Sequence, residues 1–89
     1  MSNRNERNRL KRKGRIQKLL GEDYEVNPYY GYFRAYKRMS MDGGGVFIDF
    51  KPYGLNWHIS SQALGLELEA STLRAGVNRV HAHALLVMV

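Results

Sequence analysis

Residues 29–51, YYGYFRAYKRMSMDGGGVFIDFK, decide the fold. In the first half the side chains alternate, and one face of an extended strand would carry Tyr30, Tyr32, Arg34, Tyr36 and Arg38. Gly31, Phe33, Ala35, Lys37 and Met39 would lie on the other. The cluster Asp42-Gly43-Gly44-Gly45 is typical of a turn, and Val46, Ile48 and Phe50 then alternate with Phe47, Asp49 and Lys51. This pattern predicts a β-hairpin.

Toward the C-terminus, two more short alternations predict strands at about Leu55–Ile59 and Leu64–Leu68, with a helix capped by Ser61 as the alternative for the second. Residues 71–89 fit two structures. Leu73, Val77 and Val80 suit a helix, whereas the β-branched valines and Gly76 favour a strand. We predict a turn over residues 71–76 and a final strand from about Asn78 to Val89.

Toward the N-terminus, residues 21–28 predict a connector with a turn at Asn27-Pro28. Residues 1–20, MSNRNERNRLKRKGRIQKLL, predict a helix from about Asn5 that ends before Gly21. Its apolar residues crowd the last two turns, which we expect to dock on the rest of the chain while the first turns project into solvent.

These elements predict an α+β protein. A basic N-terminal helical arm (residues 1–20) precedes a small β-rich domain (residues 21–89), and together they form one compact domain. The sheet would have four or five mostly antiparallel strands, either open or curled into a partial barrel.

The charge of the chain is concentrated in the arm. Residues 1–20 hold eight bases and one acid, a formal charge of +7, while the other sixty-nine residues hold six bases and seven acids, a charge of −1. Bases at this density neutralise phosphates and release counterions, which is the sequence-independent part of nucleic-acid affinity. The candidate phosphate contacts are Arg7, Arg9, Lys11, Arg12, Lys13 and Arg15. A solvated tail, or an arm that binds an acidic protein surface, are the alternatives.

The first strand of the hairpin offers a second candidate surface. Tyr32, Arg34, Tyr36 and Arg38 alternate rings and guanidiniums, on which single-stranded bases stack. The same residue types dominate protein–protein interfaces, and tyrosine is also an ordinary strand residue.

The third candidate is His81-Ala82-His83, whose imidazoles would share one face of a strand. The segment VHAHALLVMV (80–89) resembles the two-histidine strand of the HUH endonucleases, in which the histidines hold a divalent ion beside a nucleophilic tyrosine. That resemblance implies a metal-dependent nuclease. The family carries its tyrosine after the histidines, whereas all six tyrosines here precede them.

Composition also limits the kinds of site and the cellular location that we expect. The chain has no cysteine, so disulfides and thiolate metal sites are excluded. The C-terminal apolar run is too short to span a bilayer, and no secretory signal is evident, so we expect a cytoplasmic protein without a membrane partner. A chain of 89 residues has a thin core, which makes a homodimer an option.

We therefore expect a non-catalytic nucleic-acid-binding protein, with no cofactor and no bound metal. The alternative is a small inhibitor or adaptor, comparable in size to virus-encoded proteins such as anti-CRISPR proteins, that docks on an acidic surface of a larger enzyme. The remote alternative is the nuclease using His81 and His83.

Overall fold

The computed structural model describes the backbone of residues 3–38 and 44–88 and the side chains of residues 6–38 and 44–86. Two helices flank five strands in the chain. The elements are α1 (Asn3–Leu20), β1 (Glu25–Tyr29), β2 (Tyr32–Arg38), β3 (Gly45–Tyr53), β4 (Asn56–Ser61), β5 (Leu66–Ala70) and α2 (Leu73–Met88). The predicted α+β class is confirmed. Within the described residues, neither helix has the length and apolar character needed to cross a lipid bilayer.

The five strands form one antiparallel sheet in chain order, β1-β2-β3-β4-β5. The hairpin predicted from residues 29–51 is its centre, where Ala35 pairs with Ile48 and Phe33 with Phe50. Because β1 and β5 are the two edges and do not pair with each other, the sheet is open and no closed barrel forms.

Both helices pack on one side of this sheet and bury its apolar residues. Ile48, Phe50 and Ile59 are fully buried there. From α1, Ile16 and Leu20 join the same cluster, which confirms that the last two turns of the helix dock on the sheet. No described helix covers the other side of the sheet, which we call the open face.

The end of α1 is fixed by Gln17. The amide N–H of Gly21, whose φ is +96°, donates to the Gln17 carbonyl at 2.9 Å and ends the helix. The Gln17 side chain donates to the Tyr24 carbonyl at 2.6 Å and accepts from the Val26 N–H at 3.1 Å. These bonds join α1 to β1 and set the direction of the helix across the sheet.

The prediction of a final strand over residues 78–89 is wrong, because residues 73–88 form α2. Thr72 caps the helix by accepting a hydrogen bond from the Ala75 N–H at 3.1 Å. Val77 and Val80 are buried at helical spacing against the sheet. Gly76, which favoured the strand, faces Ile59, and a Cβ there would collide with that side chain. The glycine allows close approach of the helix.

The predicted connector is also corrected, since residues 25–29 form the edge strand β1. Pro28 is tolerated there because an edge strand leaves part of its backbone unpaired. The turn that follows is Tyr30-Gly31, so the strand predicted from Tyr29 is interrupted and β2 begins at Tyr32. Of the predicted Asp42–Gly45 turn, Asp42 and Gly43 lie outside the described residues, and Gly45 is the first residue of β3.

Candidate nucleic-acid interface

The bases of α1 point in two directions. Four of them recur at intervals of four, four and three residues and are all exposed, so they form one line along the helix. This outward stripe consists of Arg7, Lys11, Arg15 and Lys18. At 1.5 Å per residue it is about 16 Å long and points away from the sheet.

None of the acids with described side chains neutralises the outward stripe. Among the described side chains, ion pairs within 4.0 Å involve Arg34, Lys37 and His58, and no base of α1 takes part. A carboxylate oxygen of Asp23, which follows α1 in the chain, lies 4.0 Å from Nζ of Lys37 on β2. The stripe therefore keeps its positive charge available to a partner.

Three further bases of α1, Arg9, Arg12 and Lys13, lie on the side that faces the sheet. Arg9 is two turns before the buried Ile16, and Arg12 and Lys13 are one turn before it. The Arg12 guanidinium carbon lies 5.9 Å from the centroid of the Trp57 ring. Arg9 and Arg12 line a pocket of about 270 Å³ at one end of the sheet, together with Asn8, Gly31, Phe33 and Pro52.

That end of the sheet, which we call the turn end, carries the Tyr30-Gly31 turn between β1 and β2 and the Gly54-Leu55 turn between β3 and β4. Gly31 and Pro52 share the pocket, so the two turns are neighbours. Three large side chains here are strongly exposed, namely Tyr30, Tyr53 and Leu55. Sequence reasoning placed Tyr30 inside a strand and missed the turn end. The available signal was the Tyr-Gly pair between two alternating segments.

Arg34, a predicted binding residue, is engaged within the protein. Its Nε and Nη2 donate to the two Asp49 carboxylate oxygens at 2.8 and 3.3 Å. Its guanidinium carbon lies 4.4 Å from the Tyr29 ring centroid and 5.4 Å from that of Phe47. The hydrogen bond to Asp49 raises the pKa of Arg34 above its ordinary value. Arg34 thus holds three strands of the open face together.

The other residues predicted with Arg34 also lie on the open face. Tyr36 packs on Phe47, with ring centroids 4.8 Å apart, and is half-buried. Tyr32 is half-buried too and accepts a 3.2 Å hydrogen bond from Arg34. Arg38 is exposed at the end of β2.

The two predicted surfaces therefore face opposite ways. The outward stripe points away from the sheet on the helix side. On the open face, the side chains that point away from the sheet are those of Tyr32, Arg34, Tyr36 and Arg38. A short, straight ligand cannot contact both at once. The turn end lies between them, and Arg9 and Arg12 line a pocket there.

His81 and His83 both lie on α2, where their side chains point in different directions. Residues two apart on a helix are rotated by about 200°, so His81 and His83 do not share a face. His81 is exposed, while Nε2 of His83 lies 2.6 Å from the Leu64 carbonyl oxygen. Within residues 3–38 and 44–88, no three His, Cys, Asp or Glu side chains come together as metal ligands. The strand geometry that suggested a metal pair is wrong.

Comparison with known proteins adds no relative: no protein-family model, no curated protein and no solved structure matches this chain significantly.

Proposed function

We propose that this protein binds nucleic acid without catalysis and that the outward stripe of α1 contacts the phosphates. The observation that carries this proposal is the line of four exposed bases with no carboxylate partner among the described side chains.

The geometry of α1 supports this role. Its last two turns are buried in the core through Ile16 and Leu20, so the stripe is held on a fixed support rather than on a loose tail. A pre-positioned cation loses less conformational entropy when it meets a phosphate than one on a flexible chain. Such contacts carry no sequence information, so we expect little preference among sequences.

The binding residues predicted from the sequence fall into three groups by their position in the fold. Arg7, Lys11 and Arg15, now with Lys18, contact the phosphates along the helix. Arg9, Arg12 and Lys13 extend the positive surface toward the turn end. The predicted binding residues of the open face point the opposite way and lie outside this footprint. They are Tyr32, Arg34, Tyr36 and Arg38.

The experiment compares two charge-matched variants in binding to a labelled oligonucleotide by fluorescence anisotropy. Arg7→Gln with Lys11→Gln removes two charges from the stripe, and Arg38→Gln with Lys51→Gln removes two exposed charges from the open face. Each phosphate contact contributes about 0.9 to the slope of log K against log salt on duplex DNA. The stripe variant should therefore lower that slope by about 2, and the open-face variant should leave it unchanged.

Loss of affinity in the open-face variant alone would place the site on the sheet and reject the stripe. If the wild-type protein fails to bind oligonucleotides at physiological salt, nucleic-acid binding itself is rejected. A stripe-dependent complex with an acidic protein would then support the inhibitor or adaptor alternative.

A cytoplasmic location and a homodimer remain parts of the proposal. The feature that supports a dimer is the end of α2, where Leu85 and Leu86 are exposed. Sedimentation of the wild type and of a Leu85→Gln, Leu86→Gln variant tests this, and a monomer at all concentrations would reject it.

A further inference from the structure

Tyr30 has an unusual backbone conformation. It is the first residue of the two-residue turn between β1 and β2, and its φ is +47°. Among the described residues it is the only non-glycine with positive φ. Both central residues of such a hairpin turn need positive φ, which favours Asn-Gly or Gly-Gly over a bulky aromatic residue.

Burial of the Tyr30 ring does not offset this backbone strain, because the residue is 88% exposed. It touches Tyr29 edge to face, with centroids 4.7 Å apart, which orients the ring but leaves most of it in solvent. A strained and exposed aromatic residue gives the fold little, so its surface is a candidate for ligand contact.

The pocket next to the Tyr30-Gly31 turn carries positive charge. Gly31, the next residue, lines the pocket that Arg9 and Arg12 also line, and none of the six lining residues is acidic. Phe33 and Pro52, which also line the pocket, are apolar. Because Gly31 follows Tyr30 directly in the chain, the exposed ring lies at the same end of the sheet as the two arginines.

We propose that the Tyr30-Gly31 turn and the pocket beside it bind an unpaired nucleotide, with Arg9 and Arg12 holding its phosphate and Tyr30 stacking on its base. This inference rests on the proposed nucleic-acid binding and adds a preference for single strands. Bases in a duplex are stacked on one another, whereas those of a single strand are free to stack on a protein ring.

The test uses Tyr30→Asn, which removes the ring but installs the Asn-Gly sequence that this turn favours. The variant should fold at least as stably as the wild type. Binding to single strands of about eight nucleotides should weaken on the order of tenfold, and binding to a duplex should change less than about twofold. Tyr30→Phe keeps the ring and should bind single strands like the wild type. Oligothymidylate and oligouridylate arms determine whether the base site accepts DNA, RNA or both.

The matched control is Leu55→Asn, which removes an equally exposed apolar side chain from the neighbouring turn. It should leave single-strand affinity within about twofold of the wild type. The inference is overturned if Tyr30→Asn retains full affinity, or if Leu55→Asn weakens binding as much as Tyr30→Asn does. If binding depends on salt but is unchanged in Tyr30→Asn, the base-stacking site is rejected and the proposed function stands. If the wild type binds no oligonucleotide, the proposed function is rejected as well.

Discussion

Arg34 and Asp49 form a two-pronged ion pair across β2 and β3, at 2.8 and 3.3 Å, where the two residues are direct cross-strand neighbours. A fork of this kind matches the planar geometry of guanidinium and carboxylate. The pair lies among Tyr29, Tyr32 and Phe47, so it organises the open face instead of offering a free charge.

We therefore expect Arg34→Ala to lower the free energy of unfolding by about 1–2 kcal/mol, since the pair is partly exposed and its electrostatic contribution is screened. Asp49→Ala should cost a similar amount, and a double-mutant cycle in urea should show positive coupling between them. Oligonucleotide affinity should stay within about twofold of the wild type. Additive losses, or a large loss of affinity, would contradict this structural role.

Two glycines in helices predict opposite outcomes. A Cβ at Gly14 meets no atom within 4 Å, so Gly14→Ala should raise the free energy of unfolding by about 1 kcal/mol through helix propensity. At Gly76 a Cβ would collide with the buried Ile59 and lie 3.3 Å from the Ala70 Cβ. Gly76→Ala should therefore be destabilising by about 1–3 kcal/mol despite the same propensity gain. Thermal unfolding of both variants checks this, and equal shifts would refute the close packing of α2.

Gly76 also explains why α2 could not be predicted from the sequence. Helix propensity counts glycine against a helix, but contact between α2 and the sheet requires its missing side chain. The alternation in residues 32–38 and 45–51 was enough to predict the central hairpin, because side chains on the two faces of a sheet differ in burial. Tyr30 was read as part of that alternation. Its positive φ comes from the turn that joins the paired residues Tyr29 and Tyr32, and the Tyr-Gly pair was the local signal of that turn.

The buried end of α1 predicts that the basic helix is part of the core. Ile16 is 0% exposed, so Ile16→Ala should lower the free energy of unfolding by about 2–5 kcal/mol. Leu10 is 58% exposed on the same helix, and Leu10→Ala should change it by less than about 0.5 kcal/mol. Chemical denaturation followed by circular dichroism measures both. A negligible effect at Ile16 would mean that α1 is a separate arm.

Tyr24 predicts a loss of stability in alkali. Burial, with a smaller contribution from Asp23, raises the pKa of Tyr24 above its ordinary value of 10.0. The folded state thus favours the neutral phenol. The free energy of unfolding that the neutral Tyr24 phenol contributes is fully present below the unfolded-state pKa, and it is lost as pH rises through the higher folded-state pKa. Between about pH 9 and pH 11, Tyr24→Phe should therefore lose less free energy of unfolding than the wild type. Parallel pH profiles of the two proteins would contradict the assignment.

The most direct test of the central claim is to map the bound oligonucleotide onto the protein by amide chemical shifts in two-dimensional NMR. We predict that perturbed amides cluster along α1 from Arg7 to Lys18 and at the Tyr30-Gly31 turn, and that they weaken as salt is raised. Perturbations confined to the open face around Tyr36 and Phe47, or to the end of α2 at Leu85, would contradict the claim that the outward stripe binds nucleic acid.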